Sequence, residues 1–249
     1  MFFQKKYHLL VLTIVSIIFV FLLFYINTTF TNSIATVLVA IIASVIVSIY
    51  YNKELHDAMD IYNKIGLVDY FDNFEDTQDQ IRRKIEKAKK VDIYVMYADR
   101  FFNTSSSALN KLIAEENTKL RCFIYCSTNE FIKAYCNHWT YEISKSEYDI
   151  KGVTSKIDGV EKFIRELKKK KNNDSSIELY KIKRAPISYS FYRIDNELYF
   201  VPSKNIRSKE VKPAVFHFKK TENEAAMFSK IETELNAMIS DSEVIKIDL

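Results

Sequence analysis

Hydrophobic and polar positions follow two regimes along this chain. Two almost unbroken apolar blocks come first, YHLLVLTIVSIIFVFLLFYI at 7–26 and SIATVLVAIIASVIVSIYY at 33–51. Each approaches the roughly 20 residues that cross a bilayer as a helix. The connection 27–32 is short and uncharged, so residues 1–51 are predicted to form a two-helix transmembrane hairpin. Lys5 and Lys6 precede the first block and Lys53 follows the second, with no basic residue between. That asymmetry places both termini on the cytoplasmic side of the inner membrane. A signal peptide is the competing reading of the first block, but it lacks a small-residue cleavage site. Thr36, Ala40, Ser44 and Ser48 recur every four residues. Such a stripe lets helices pack closely in lipid, against the first span or in a homo-oligomer.

From residue 52 onward the pattern becomes periodic. A polar linker helix is expected over 52–66, ended by Gly66, and a mixed α/β domain over 67–249. Thr77 and Gln80 have capping-box spacing, ahead of a helix that buries Ile81, Ile85 and Ala88 and ends near Lys90. Strands are expected at 92–97 and 119–126, with a helix at 106–117 between them. Short connections between alternating helices and strands favour a parallel pair. Helices at 129–144 and 159–171 lead to four strands in succession, at 177–183, 187–194, 197–201 and 211–219. A last helix, capped by Thr221 with Glu224, presents Phe228, Ile231, Leu235, Met238 and Ile239.

Composition removes several function classes. With 3 glycines in 249 residues the chain cannot build a Walker or dinucleotide loop. A net charge of +4 is too mild to argue for nucleic acid. The 3 cysteines do not form a secreted disulfide framework. Cys122, Cys126, Cys136 and His138 lack zinc-knuckle spacing, so neither metal nor other cofactor is expected. No Gly-x-Ser-x-Gly elbow is present, and His217 alternates with Val215 as a strand residue. The basic clusters around Arg82–Lys90, Lys168–Lys171 and Lys181–Arg184 read as solvated faces. Near a membrane they could also meet anionic headgroups, or attract a phosphate-bearing ligand.

The stretch 187–205, ISYSFYRIDNELYFVPSKN, reads as a β-hairpin turning at Asp195-Asn196. Its polar positions Ser188, Ser190, Asp195, Ser203 and Asn205 are spaced as in the phospholipase D superfamily, which the chain resembles there. That signature is His-x-Lys, four residues, Asp, six residues, then Gly-Ser-x-Asn. Asp195, Ser203 and Asn205 match it. Ser188 stands where the nucleophilic histidine would be, Ser190 at the phosphate-binding lysine, and Pro202 at the glycine. The resemblance implies a phospholipase D-like fold over roughly 67–240 without catalytic residues, because serine without a base is a poor nucleophile and carries no charge to hold phosphate.

The expectation is therefore a membrane-anchored pseudoenzyme whose cytosolic domain binds a ligand or protein partner. Two-span proteins with a small sensor domain resemble bacterial anti-phage defence effectors. A membrane-bound phosphodiesterase with a rebuilt site, and a passive anchor recruiting another protein, are the alternatives.

Overall fold

The computed structural model describes residues 29–139, 149–171, 174–186, 188–203 and 211–249, with the side chains of 29–40 and of Trp139 outside the description. Two compact units divide at Ile61/Tyr62. Helix α1, Thr29–Ile65, runs for 37 residues without a break. It ends where Gly66 takes a φ of 75°. A Cβ there would lie 2.4 Å from the carbonyl oxygen of Lys219, so only glycine fits.

This arrangement corrects the transmembrane hairpin. Among the described residues no helix is long and apolar enough to cross a membrane. The connection expected at 27–32 is already helical from Thr29. The first expected span, 7–26, lies outside the described residues, as do the side chains of Thr36 and Ala40; Ser44 and Ser48 are exposed. The inner-membrane location with cytoplasmic termini rested on those spans and falls with them.

The second unit is built on one eight-stranded sheet in the order β1-β7-β6-β5-β2-β3-β4-β8. Its strands are β1 Leu67–Phe71, β2 Lys90–Val95, β3 Lys119–Tyr125, β4 Ser176–Ile182, β5 Tyr189–Ile194, β6 Glu197–Pro202, β7 Val215–Lys219 and β8 Val244–Ile247. The neighbours β2, β3 and β4 are parallel, and every other pairing is antiparallel. Helices α2 Glu75–Ile85, α3 Asp99–Thr104, α4 Ser106–Ala114, α5 Glu130–Trp139 and α6 Ile150–Lys169 connect the first half, and α7 Met227–Ile239 follows β7.

Strand residues alternate between faces. Val91, Ile93 and Val95 meet Ile81, Ile85, Leu109, Leu112 and the α6 stripe Val153, Ile157, Val160 and Ile164 in one buried core. Asp92 and Tyr94 point the other way, toward α7. Element ends shift for local reasons. Thr77 does not cap α2; its hydroxyl bonds back to Phe74 O, while Asn73 accepts from the Asp76 amide and donates to its carboxylate. Thr221 likewise does not open α7, which starts after Ala226. Helix α3 and the two edge strands β1 and β8 were not expected at all.

On the α7 face the sheet buries charge. Register sets Asp92 opposite Arg121 on β3 and Arg193 on β5. Arg121 Nε donates to Asp92 Oδ1 at 2.5 Å and Arg193 Nε to Oδ2 at 2.5 Å. The three residues are 0%, 5% and 2% exposed. Arg193 also pairs with Glu232 of α7, which accepts from Lys220 at 3.2 Å. Burial would lower the Arg121 pKa, but Asp92 outweighs it and the net shift is upward. On β4, Glu178 stands opposite Arg121 and carries the ladder to Lys119 and Lys246 at the surface.

Removing the central carboxylate leaves two buried guanidinium groups facing each other. Asp92→Asn is expected to destabilise the fold by about 3–5 kcal/mol in urea denaturation. Replacing all three together, Asp92→Leu with Arg121→Met and Arg193→Met, is expected to cost less than Asp92→Asn alone, because no charge is then stranded. The opposite ranking would show that the ladder stabilises through net ion pairing.

Candidate functional site

The β5–β6 hairpin turns at Asp195, whose φ of 49° lies in the left-handed region that Asp tolerates better than most residues. Its carboxylate accepts from the Lys89 and Lys90 amides at 3.0 and 2.7 Å, and its own amide donates to Lys90 O at 2.8 Å. Asp195 thus fastens the hairpin to the chain entering β2. Five residues of strand separate it from Ser190, roughly 16 Å at strand rise. It is a structural clamp and does not share a site with the serines.

At the other end of the hairpin, Ser188 and Ser203 come together, with Ser203 N donating to Ser188 O at 2.8 Å. Both side chains are exposed and Ser190 is half-buried. Asn205 lies outside the described residues. Ser190 and Ser203 line a cleft of about 440 Å³ at the carboxyl end of β2, walled by Phe74, Tyr97, Phe101 and Tyr192. The aromatic wall is consolidated: Phe74 stacks on Tyr192 at 5.2 Å and Phe101 lies 4.5 Å from the same ring. Burial pushes the Tyr192 hydroxyl up, so it stays protonated.

Just after β2, Ala98 takes φ 48° and ψ 36°, a left-handed conformation that costs a non-glycine residue of the order of 1 kcal/mol or more. This strained residue lies on the cleft wall, where the chain leaves β2 and turns into α3. Around the cleft stand Glu75 and Lys212, joined as an ion pair, with Asp99 and Arg100. Lys212 holds the Glu75 carboxyl below its ordinary range. Among the described lining residues two acids balance two bases, so these four give no net positive field to attract a phosphate. Among the described residues that line it, none is a histidine or cysteine. Its two serine hydroxyls have no histidine beside them among the described lining residues, and the Glu75 carboxylate is taken up by Lys212.

A second polar group was not anticipated. His217 on β7 is buried, stacks flat on Tyr199 at 4.4 Å, and meets Glu197 Oε2 through Nε2 at 2.7 Å. Glu197 also accepts from Lys84 Nζ at 2.6 and 2.5 Å. Burial lowers the His217 pKa, and its bond to Glu197 does not offset that. Burial alone would raise the Glu197 carboxyl, but Lys84 and His217 hold it below the usual range. The strand alternation that marked His217 as structural sets the face it lies on, but only the β6–β7 pairing, with Tyr199 opposite His217, brings Glu197 within its reach.

The cysteines do not assemble. Cys122 is buried, its thiol pushed far up by burial, and among the described residues no group of three or more His, Cys, Asp or Glu is arranged to hold a metal. Several lysines and arginines of the basic clusters are tied into ion pairs: Lys84 with Glu197, Lys181 with Glu161 and Arg184 with Glu130.

Asp195→Gly keeps the turn conformation but removes both bonds to the α2–β2 corner. A loss of roughly 1–3 kcal/mol is expected in urea denaturation, and an unchanged midpoint would remove the clamp role. For His217 the sign follows from its depressed folded pKa. The folded state binds the proton less readily than the unfolded chain, whose value is near 6.5, so its contribution is complete above that value and declines as pH falls. Thermal midpoints measured from about pH 7.5 to 5.5 are expected to fall in the wild type and to fall less in His217→Gln. Parallel profiles would assign the slope to other groups.

No family model matches the chain, and no curated protein matches it. Among solved structures, TrmBL2, an archaeal chromatin protein whose structure shows a novel mode of DNA binding, is similar at 10% identity and a TM-score of 0.41. That likeness covers 86% of this chain and 70% of the other, and at such a score it carries no argument about fold or function.

Proposed function

We propose that the second unit is a phospholipase D-like domain that binds a small molecule in the cleft beside Ser190 and Ser203 and performs no phosphodiester chemistry. The observation that carries this reading is the cleft itself. It is open, of ligand-pocket size, aromatic on one wall and edged by a few polar groups, which is the usual make-up of a small-molecule site. It lies at the carboxyl end of β2, the end of the parallel strands outside which open α/β sheets commonly take ligands. The strained Ala98 on its wall fits a site held in shape by the surrounding fold.

The balance of Glu75 and Asp99 against Arg100 and Lys212 favours a neutral or zwitterionic ligand with a flat apolar part over a phosphate ester. A phosphate would meet carboxylates as well as cations, and Ser190 offers only a hydrogen bond where the superfamily has a lysine. The binding half of the defence-effector expectation is retained here. The membrane-acting half and the passive membrane anchor rested on the transmembrane spans and are not part of this reading.

Native mass spectrometry of the purified full-length protein tests the reading. A small molecule is expected to leave the wild type on activation, and to be absent from Ser190→Phe, which fills the cleft, while Asp195→Asn retains it. A wild type without bound ligand, and without a thermal shift from any member of a metabolite panel, would count against binding. Phosphodiester turnover that is lost in Ser203→Ala would replace this reading by catalysis.

A further inference from the structure

His217 has one ring nitrogen satisfied and one not. Its Nε2 meets Glu197 Oε2 at 2.7 Å, a contact in which a neutral ring donates to the carboxylate. Nδ1 is then an acceptor, buried and without a hydrogen-bond partner among the described residues. A lone pair left alone there is tolerable. A proton added there becomes a buried, charged N–H with nothing to receive it.

The titratable and charged groups around the ring come from three elements. Strand β6 supplies Glu197 and the Tyr199 ring stacked on the imidazole, and α2 supplies Lys84. Strand β1 supplies Asp69, which stands opposite His217 and so on the same face of the sheet. Glu197 and Asp69 favour a proton on the ring, Lys84 opposes it, and burial opposes it most. Neither carboxylate waits for that proton: both oxygens of Glu197 accept from Lys84 Nζ, and Asp69 accepts from the Tyr70 amide at 2.9 Å.

The two sides of β7 are unequal. Strand β6 is an inner strand, held on its far side by β5 over six residue pairs. Strand β1 is the end of the sheet among the described residues. It has 5 residues, its middle three are exposed, and its register against β7 shifts between Leu67 and Asp69. Such an irregularity interrupts the ladder, so β1 is the neighbour of His217 that opens most readily. We propose that β1 is an acid-released edge strand: a proton on His217 Nδ1 is accommodated by β1 parting from β7, which brings water to that nitrogen while β2 to β6 stay paired. Opening restores the ordinary proton affinity of the ring, and the bound proton then holds the strand open. Because β1 follows α1 directly through Gly66, the strand that responds to acid is also the one that joins the sheet to the N-terminal part of the chain.

Hydrogen exchange of the full-length protein, read by mass spectrometry at about pH 7.5 and 5.5 with labelling times scaled for the intrinsic rate, tests this. An opened state whose ring titrates at its ordinary 6.5 gains population by at most about tenfold between those values. The wild-type segment 66–72 is expected to lose protection several-fold within that ceiling, while 119–125 of β3 keeps its own. In His217→Gln, which has no ring to titrate, 66–72 is expected to exchange alike at both values. An unchanged wild-type 66–72, an equal loss over 119–125, or a wild-type loss repeated in His217→Gln overturns the proposal. A pH series on the wild type alone is the second measurement. Loss of protection in 66–72 is expected to set in as pH falls through about 6.5, and an onset only below about 5, where carboxylates titrate, overturns it as well.

Discussion

One carboxylate organises the centre of this sheet. Asp92 is wholly buried and accepts from two guanidinium groups, one on each neighbouring strand. Charges this deep are tolerated only when paired and hydrogen-bonded, so the pairing fixes which residue of β3 and which of β5 stands opposite Asp92. A slip of one residue on either strand would turn an arginine into the aliphatic face and leave Asp92 alone. Arg193 extends the constraint to α7 through Glu232, so the same ladder also locates the helix that covers this face.

The two ends of the hairpin then acquire different duties. With β5 held in register, Asp195 reaches the amides entering β2 and closes the corner. Ser188, Ser190 and Ser203 are carried to the opposite end, beside the carboxyl terminus of β2. The cleft there is bounded by α2, by the left-handed Ala98 and by the aromatic group around Tyr192. Its walls are rigid because they are stacked rings on a clamped sheet, and its chemistry is mild because its charges cancel. Both properties favour holding a molecule over transforming one.

How legible this was differs by element. The hydrophobic alternation located β2 to β6 to within two or three residues, and the 3.6-residue stripes located α2 and α7, while α6 begins at Ile150, ahead of the expected start at Gly159. Their ends were less visible. The caps expected from Thr77 and Thr221 gave way to Asn73 and to an uncapped start at Ala226, since a side chain caps only where the preceding chain lets it reach the amides. The edge strands β1 and β8 were missed because only one neighbour and one face shape their composition. The apolar blocks at the N-terminus led to a membrane hairpin, whereas α1 is one continuous helix from Thr29 and, among the described residues, no helix is long and apolar enough to cross a membrane.

What the sequence determined by itself was local: which segments have helical or strand periodicity, and that glycine-rich phosphate loops are impossible. Those properties depend on neighbours a few residues apart. The tertiary structure decided everything that depends on strand order. It placed Asp92 between two arginines, set Glu197 against His217, separated Asp195 from the serines it had been grouped with, and opened the cleft at β2. Residues far apart in the chain meet only after the sheet has chosen its register, and that choice is made by burying charge in pairs.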